Sequence, residues 1–215
     1  MRSRHGRRDT VTVLLTVTVL LAAVAASGLL AAWWLRRDDP GALRDLDGNE
    51  VVLPGVDAEA SQVEETGERF EVPALDLSVP LLSAVVVGGV VNPPTLTDAY
   101  WYREFGDPGR AGSGTVVVAV HAVRGGRGPG NALVEPGEGG KARVRVARGD
   151  LVQVGAATYR VRDVSVLTKA ETARDGRIWS ESPRRDRLAV ITCLVDTTVP
   201  LAEQDNLVVL AERVT

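Results

Sequence analysis

The chain has 215 residues, with 25 Lys and Arg against 28 Asp and Glu and a formal net charge of −3. That balance, with no basic patch, excludes the electrostatic footprint of a nucleic-acid binder. A single cysteine excludes an intramolecular disulfide framework, and with two histidines and no CxxC or HxxxH spacing it falls short of a zinc set.

The N-terminal residues Met1–Arg8 are strongly basic, and Val11–Leu35 contains no charged residue. As a helix that run rises about 37 Å, enough to cross a hydrocarbon core of about 30 Å. Trp33 and Trp34 close it where an aromatic belt would sit, and the basic start predicts a cytoplasmic N-terminus with the remainder exported. A cleaved signal peptide, with Ala25-Ala26-Ser27 as the cleavage site, is the rival reading and implies the same compartment. The expectation is therefore a basic tail at 1–10, a single-span anchor at 11–35 and a cell-membrane location. Residues 36–69, polar, acidic and punctuated by Gly and Pro, read as a stalk.

From Phe70 to the C-terminus, short Val-rich runs recur between Gly, Pro and Asp. The expected strands are Leu77–Val79, Ala84–Val91, Thr115–His121, Val144–Val146, Leu151–Val154, Tyr159–Leu167, Leu188–Thr192 and Leu207–Ala211. Eight short strands predict an all-β closed barrel or sandwich over 70–215. Short helical pieces are expected near Thr95–Phe105 and Asn131–Val134. Of the aromatics Tyr100-Trp101-Tyr102, at least one is expected to be exposed.

His5 belongs to the basic tail. His121 ends an apolar strand and runs into the Gly-rich loop Ala122–Asn131, and Cys193 ends another apolar strand, Arg187–Cys193. Two strand ends in one small sheet can place an imidazole beside a thiol. A free thiol is mostly protonated at neutral pH, and a histidine can stabilise the thiolate and then protonate a departing amine. The plainer readings are a cysteine that is a small buried hydrophobe and a histidine that is a hydrogen-bonded strand end.

At these residues the chain resembles the sortases, membrane-anchored cysteine transpeptidases of Gram-positive bacteria. Gly114–His121 looks like the family strand that ends in the catalytic histidine. Ile191-Thr192-Cys193 looks like its nucleophile signature, and Asp205–Ala211 like the strand that follows. Arg148–Val154 before a Tyr-x-Val strand agrees, and the overall look is closest to the actinobacterial sortases called class F. The resemblance implies an eight-stranded barrel, Cys193 and His121 as catalytic residues, Thr192 shaping the pocket, and no cofactor or metal. It implies as partners secreted proteins carrying an LPxTG-like sorting signal and a peptidoglycan or pilin amine acceptor.

One family feature is not evident. Sortases carry an arginine at the start of the last strand, aimed at the substrate oxyanion; here its best match is Gln204, with Arg124 and Arg127 as possible replacements. Losing an oxyanion donor costs about 10²–10³ in rate. Two functions therefore stand side by side, a working transpeptidase and a non-catalytic sortase-like binding module, with a cysteine peptidase of unrelated fold as a third. Trp179, in the long loop before Arg187, is either a wall of the substrate groove or, with Ile178, an anchor of that loop to the core.

Overall fold

The computed structural model describes residues 42–52, 59–179, 186–200 and 204–214. The anchor and tail expected at 1–35 lie outside them; among the described residues no helix is long and apolar enough to cross a membrane. The strands are β1 (Ala42–Arg44), β2 (Glu50–Val52), β3 (Glu64–Val72), β4 (Leu77–Ala84), β5 (Ala99–Tyr102), β6 (Thr115–Ala119), β7 (Val134–Pro136), β8 (Ala142–Val144), β9 (Leu151–Val154), β10 (Ala157–Leu167), β11 (Arg187–Cys193) and β12 (Asn206–Arg213).

Eight of these close into a barrel in the order β10-β12-β11-β6-β5-β4-β3-β9, the all-β eight-stranded architecture expected from the sequence. The pairs β4/β5 and β6/β11 are parallel and the others antiparallel. Alternation along each strand sorts side chains onto two faces. Val116, Val118, Leu188, Val190, Leu207 and Val209 belong to the interior cluster. Val117, Ala189, Ile191 and Val208, on the other face, form an outer cluster with Ile178. β6 and β11 are apolar throughout because segments 103–106 and 178–179 cover their outer face with Phe105, Ile178 and Trp179.

Four elements differ from the sequence expectation, the first being the strand expected at Val144–Val146: the strand there is β8, Ala142–Val144, and it pairs with β7 in a separate two-stranded sheet outside the barrel. The segment Thr95–Phe105, expected to be helical, contains β5, where Tyr100 and Tyr102 are buried in a second outer cluster. Trp101 packs toward the interior and donates Nε1–H to Gly106 O at 2.8 Å, so none of the three aromatics is exposed. A strand buried on both faces shows no alternation, and aromatic residues suit it. The run Ala84–Val91 is not one strand: β4 stops at Ala84, and Gly88 and Gly89, with φ of 59° and 76°, turn the chain back so that Val87 bridges Val90. The stretch Asn131–Val134 holds the end of a 3₁₀ turn, Pro129–Ala132, and the start of β7.

Part of the stretch read as a stalk is structured. β3 begins at Glu64, and β1 and β2 form a hairpin. The buried Asp45 organises the hairpin turn, accepting from the amides of Asp47 and Asn49 and from Asn49 Nδ2. The same carboxylate accepts from Arg127 N at 3.0 Å, Leu46 N–H donates to Arg127 O, and the Arg127 guanidinium pairs with Asp47. The hairpin is thereby fixed to the Gly-rich loop that follows His121.

Candidate active site

The parallel pairing of β6 and β11 sets the site. Ala119 is level with Ile191, and Val120 N–H donates to Ile191 O at 3.1 Å, so His121 and Cys193, each two residues further on, leave the sheet at the same height. Both follow the outward alternation, His121 after Val117 and Ala119, Cys193 after Ala189 and Ile191. Neighbouring strands lie about 4.8 Å apart, so the imidazole and the thiol start side by side on one face.

His121 is buried, and its Nε2–H donates to Pro93 O at 2.9 Å. A carbonyl can only accept, so the neutral ring carries its proton on Nε2 and leaves Nδ1 as the basic atom. Burial pushes the imidazole pKa below its usual value, and the bond to Pro93 offsets part of that. The Cys193 thiol is partly exposed; burial pushes its pKa up, and the Lys169 ammonium acts the other way. The resting pair is therefore neutral near pH 7, a thiol beside an imidazole.

The loop behind His121 is rigidly closed. Asn131 receives Val123 N–H and Gly128 N–H on Oδ1 and donates Nδ2–H to Val123 O. Gly130 N–H donates to His121 O at 2.8 Å, and a Cβ on Gly130 would collide with Thr192 Oγ1 and lie 2.9 Å from His121 O. Thr192 is buried on the face of β11 opposite Cys193, and its hydroxyl faces Gly130. Among the described residues the hydroxyl has no hydrogen-bond partner, and Thr192 packs against the loop after His121 instead of lining the face that carries the thiol.

The candidates for an oxyanion donor are placed elsewhere. Gln204 is 1% exposed and holds the loop after Cys193: its Oε1 accepts from Asp196 N at 2.7 Å, and its Nε2 donates to the carbonyls of Asp196, Val199 and Pro200. Arg124 donates from Nη2 to Asp196 O and Val199 O, both at 2.6 Å. Arg127 is the residue engaged with the β1–β2 hairpin. The residue in antiparallel register with Cys193 is Asn206, which the sequence reading passed over. Its Nδ2 donates to Thr172 Oγ1, on the helix Lys169–Arg174. That helix starts at Thr168 in a capping box with Glu171, and the spacing Thr-x-x-Glu was its visible signal.

Trp179 donates Nε1–H to Thr172 O at 2.7 Å and stacks obliquely on Phe105 at a centroid distance of 5.4 Å, while Ile178 is fully buried. Both residues fasten the loop onto the outer face of β6 and β11. A cleft of about 490 Å³ opens at the same barrel end. Val123, Gly126 and Asn131 from the loop after His121 line it with Val195 and Thr197 from the loop after Cys193, and neither His121 nor Cys193 is among its walls. Among the described residues no cluster of three His, Cys, Asp or Glu is disposed to hold a metal.

A thiol and an imidazole, each just past the level at which two parallel strands pair, thus stand on one face of a closed eight-stranded barrel. The sortase-domain model matches residues 70–214, and the chain belongs to the sortase family. Among solved structures it is similar to sortase A from Corynebacterium diphtheriae, at 19% identity over 68% of this chain and 60% of that chain, with a TM-score of 0.47. The chain thus spans less than two thirds of that protein's length. It is also similar to sortase C1 from Streptococcus agalactiae, at 15% identity over 74% and 70% of the two chains and a TM-score of 0.47. Sortase C-1 from Actinomyces oris matches at 19% identity over 71% and 75%, with a TM-score of 0.46. None of the curated proteins matches this chain.

Proposed function

We propose that the domain is a cysteine transpeptidase that cleaves an LPxTG-like sorting signal on secreted proteins and passes the acyl group to a cell-wall or pilin amine. The observation that carries this reading is the β6/β11 register, which brings Cys193 and His121 to one level and one face. In the forward step, Cys193 Sγ attacks the scissile carbonyl while its proton passes to His121. The tetrahedral adduct collapses, the C–N bond breaks, and the imidazolium returns that proton to the leaving amine. The acyl-thioester then receives the acceptor amine, which gives up a proton to His121; breaking the C–S bond returns that proton to the thiolate. Asn206, beside Cys193, is the amide placed to donate toward the developing oxyanion if it releases Thr172. Residues 11–35 serve as the membrane anchor, with this domain on the outer side.

A second reading, a non-catalytic sortase-fold binding module, is favoured by one observation: Arg124, Arg127 and Gln204 are all engaged with other segments. A fluorogenic LPxTG-type peptide and triglycine, with mass spectrometry for a Cys193 thioester and the ligated product, separate the two. Adduct and product, both lost in Cys193→Ala, are the expected result. A folded protein that yields neither across a panel of sorting peptides would establish the binding module.

A further inference from the structure

A transpeptidase takes two substrates, a donor whose carbonyl meets Cys193 and an acceptor whose amine follows it. The cleft of about 490 Å³ adjoins the loops of both catalytic residues and is walled by neither of them. Its walls include Val123 and Val195, which lie two residues past His121 and Cys193, so at most about 7 Å of chain separates each from a catalytic residue. The volume falls in the range of about 300–1,000 Å³ for small-ligand sites. Leu46, Leu77, Val134 and Val195 give the lining an apolar part. Hydrogen bonds fix the walls to one another. Thr197, on the loop after Cys193, donates from N–H and from Oγ1 to Gly140 O, both at 3.0 Å, which ties that loop to the β7–β8 turn. Arg145 N–H, just past β8, donates to Leu133 O at 2.8 Å, and Asp45 holds the Gly-rich wall through Arg127 N. The cleft is thus preformed, and a ligand enters it without first ordering a loop.

The charged walls are Asp76, Arg127, Glu135 and Arg145. Arg127 is paired with Asp47. Glu135 is shared between two guanidiniums: Arg143 bonds its Oε1, and Arg145 Nε stands 3.4 Å from its Oε2. Two guanidiniums on one carboxylate leave one positive charge over. Arg145 lines the cleft and Arg143 does not, and among the described residues the two Nη groups of Arg145 meet no acceptor. Asp76 stands on the exposed turn that follows Pro73–Leu75 and keeps an anion off its own wall.

We propose that this cleft is the acceptor site and that Arg145 reads a free carboxylate on the acceptor. The open Nη edge of a guanidinium matches the two oxygens of a carboxylate, and a charge-assisted pair of this kind fixes direction as well as position. The acceptor is then a short peptide or amino acid that carries both a free amine and a free carboxylate, as distinct from a lysine amine on a folded protein. Its carboxylate end lies at Arg145 and its amine end at the side walled by Val123 and Val195. There the neutral amine attacks the thioester carbon: the C–N bond forms, the C–S bond breaks, and the amine proton passes through His121 to the departing thiolate. The inference rests on the transpeptidase reading for the acceptor's role and on the cleft alone for its binding.

The test compares triglycine with triglycine amide, which keeps the amine and lacks the carboxylate, on the full chain in detergent. Two quantities are read: ligated product from a saturating LPxTG-type peptide, and binding to Cys193→Ala followed through the amide resonances of Val123 and Val195. Triglycine is expected to half-saturate at a concentration about three- to tenfold lower than its amide in both, between the range of an exposed ion pair and that of a sheltered charge-assisted bond. Arg145→Met is expected to bring triglycine down to the level of the amide, and Arg143→Met, outside the cleft, to keep the parent's preference. Equal use of the two acceptors by a chain that ligates both would overturn the proposal and leave the transpeptidase reading standing; so would a preference that survives Arg145→Met. A carboxylate preference in binding that is lost with Arg145→Met, in a chain that forms no thioester, would uphold the carboxylate site and remove the transpeptidase reading instead. Equal binding of the two in such a chain would remove both.

Discussion

Arg124 and Gln204 share their acceptors: the guanidinium Nη2 of one and the amide Nε2 of the other both donate to Asp196 O and Val199 O. One comes from the loop after His121 and the other from the foot of β12, and together they clamp the loop that leaves Cys193. Two polar side chains that sequence comparison puts forward as catalytic donors are here the fastenings of a loop.

Removing the buried member of the clamp is expected to lower stability. Gln204→Ala strands Asp196 N–H and weakens the hold on three carbonyls, and should lower the unfolding free energy by about 1–3 kcal/mol in denaturant titration. Gln204→Arg is expected to destabilise the fold as well and to give no gain in peptide cleavage. A clear rise in turnover with Arg at this position would show that the side chain reaches the oxyanion after all.

Activity should depend on both strand-end residues with different severity. Cys193→Ala is expected to abolish adduct and product, since no other group is placed to form the thioester. His121→Ala is expected to lower the cleavage rate by about 10²–10⁴, the range for a lost general acid–base. Single-turnover kinetics with a fluorogenic sorting peptide measure both.

Acid should destabilise the domain through His121. Its pKa is lowered by burial, so the unfolded chain takes up a proton before the folded one does. Stability is therefore whole above the ordinary imidazole value, about 6.5, and falls as pH drops below it. Cys193 acts at the other limb: its pKa is raised by burial, so stability falls as pH rises past the ordinary thiol range. Thermal melts between pH 5 and 10 are expected to show both limbs, with His121→Gln flattening the acid one and Cys193→Ala the alkaline one.

Asp45→Asn should loosen the hairpin. Burial acts to raise the pKa of Asp45, and its hydrogen-bond donors outweigh burial, so the carboxyl lies below its ordinary value. The amide keeps an acceptor and loses the charge, which should lower the melting temperature and speed hydrogen exchange at Leu46 and Arg127. Unchanged exchange at those two amides would mean that the hairpin is held without the carboxylate.

The barrel was legible because its inner strands carry a signal that survives without neighbours. Val116–Val120 and Leu188–Ile191 are continuous apolar runs, and both are strands buried on two faces. β5 was hidden by the same physics, since a four-residue aromatic strand offers no period to read. The first half of β3 was hidden by the opposite cause: Glu64, Glu65 and Glu68 face solvent, so a barrel strand reads as a polar linker. Cys193 and His121 stood out as candidates because each closes an apolar run, and the sortase resemblance singled out the same two. Asn206 could not be found in this way, because its nearness to the thiol depends on the β11/β12 register across a loop whose length fixes no alignment.

The bond between Asp45 and the loop after His121 also bears on how the protein is to be produced and handled. A recombinant fragment trimmed to the family match at residue 70 would discard the hairpin and the first six residues of β3, Glu64–Arg69. It would expose the Glu64–Ser83 end of the β3/β4 pairing as an open edge and release the Gly-rich loop on which His121 depends. Poor expression or weak turnover from such a fragment would report the missing fastening and not the chemistry. A fragment starting upstream of Ala42 keeps both.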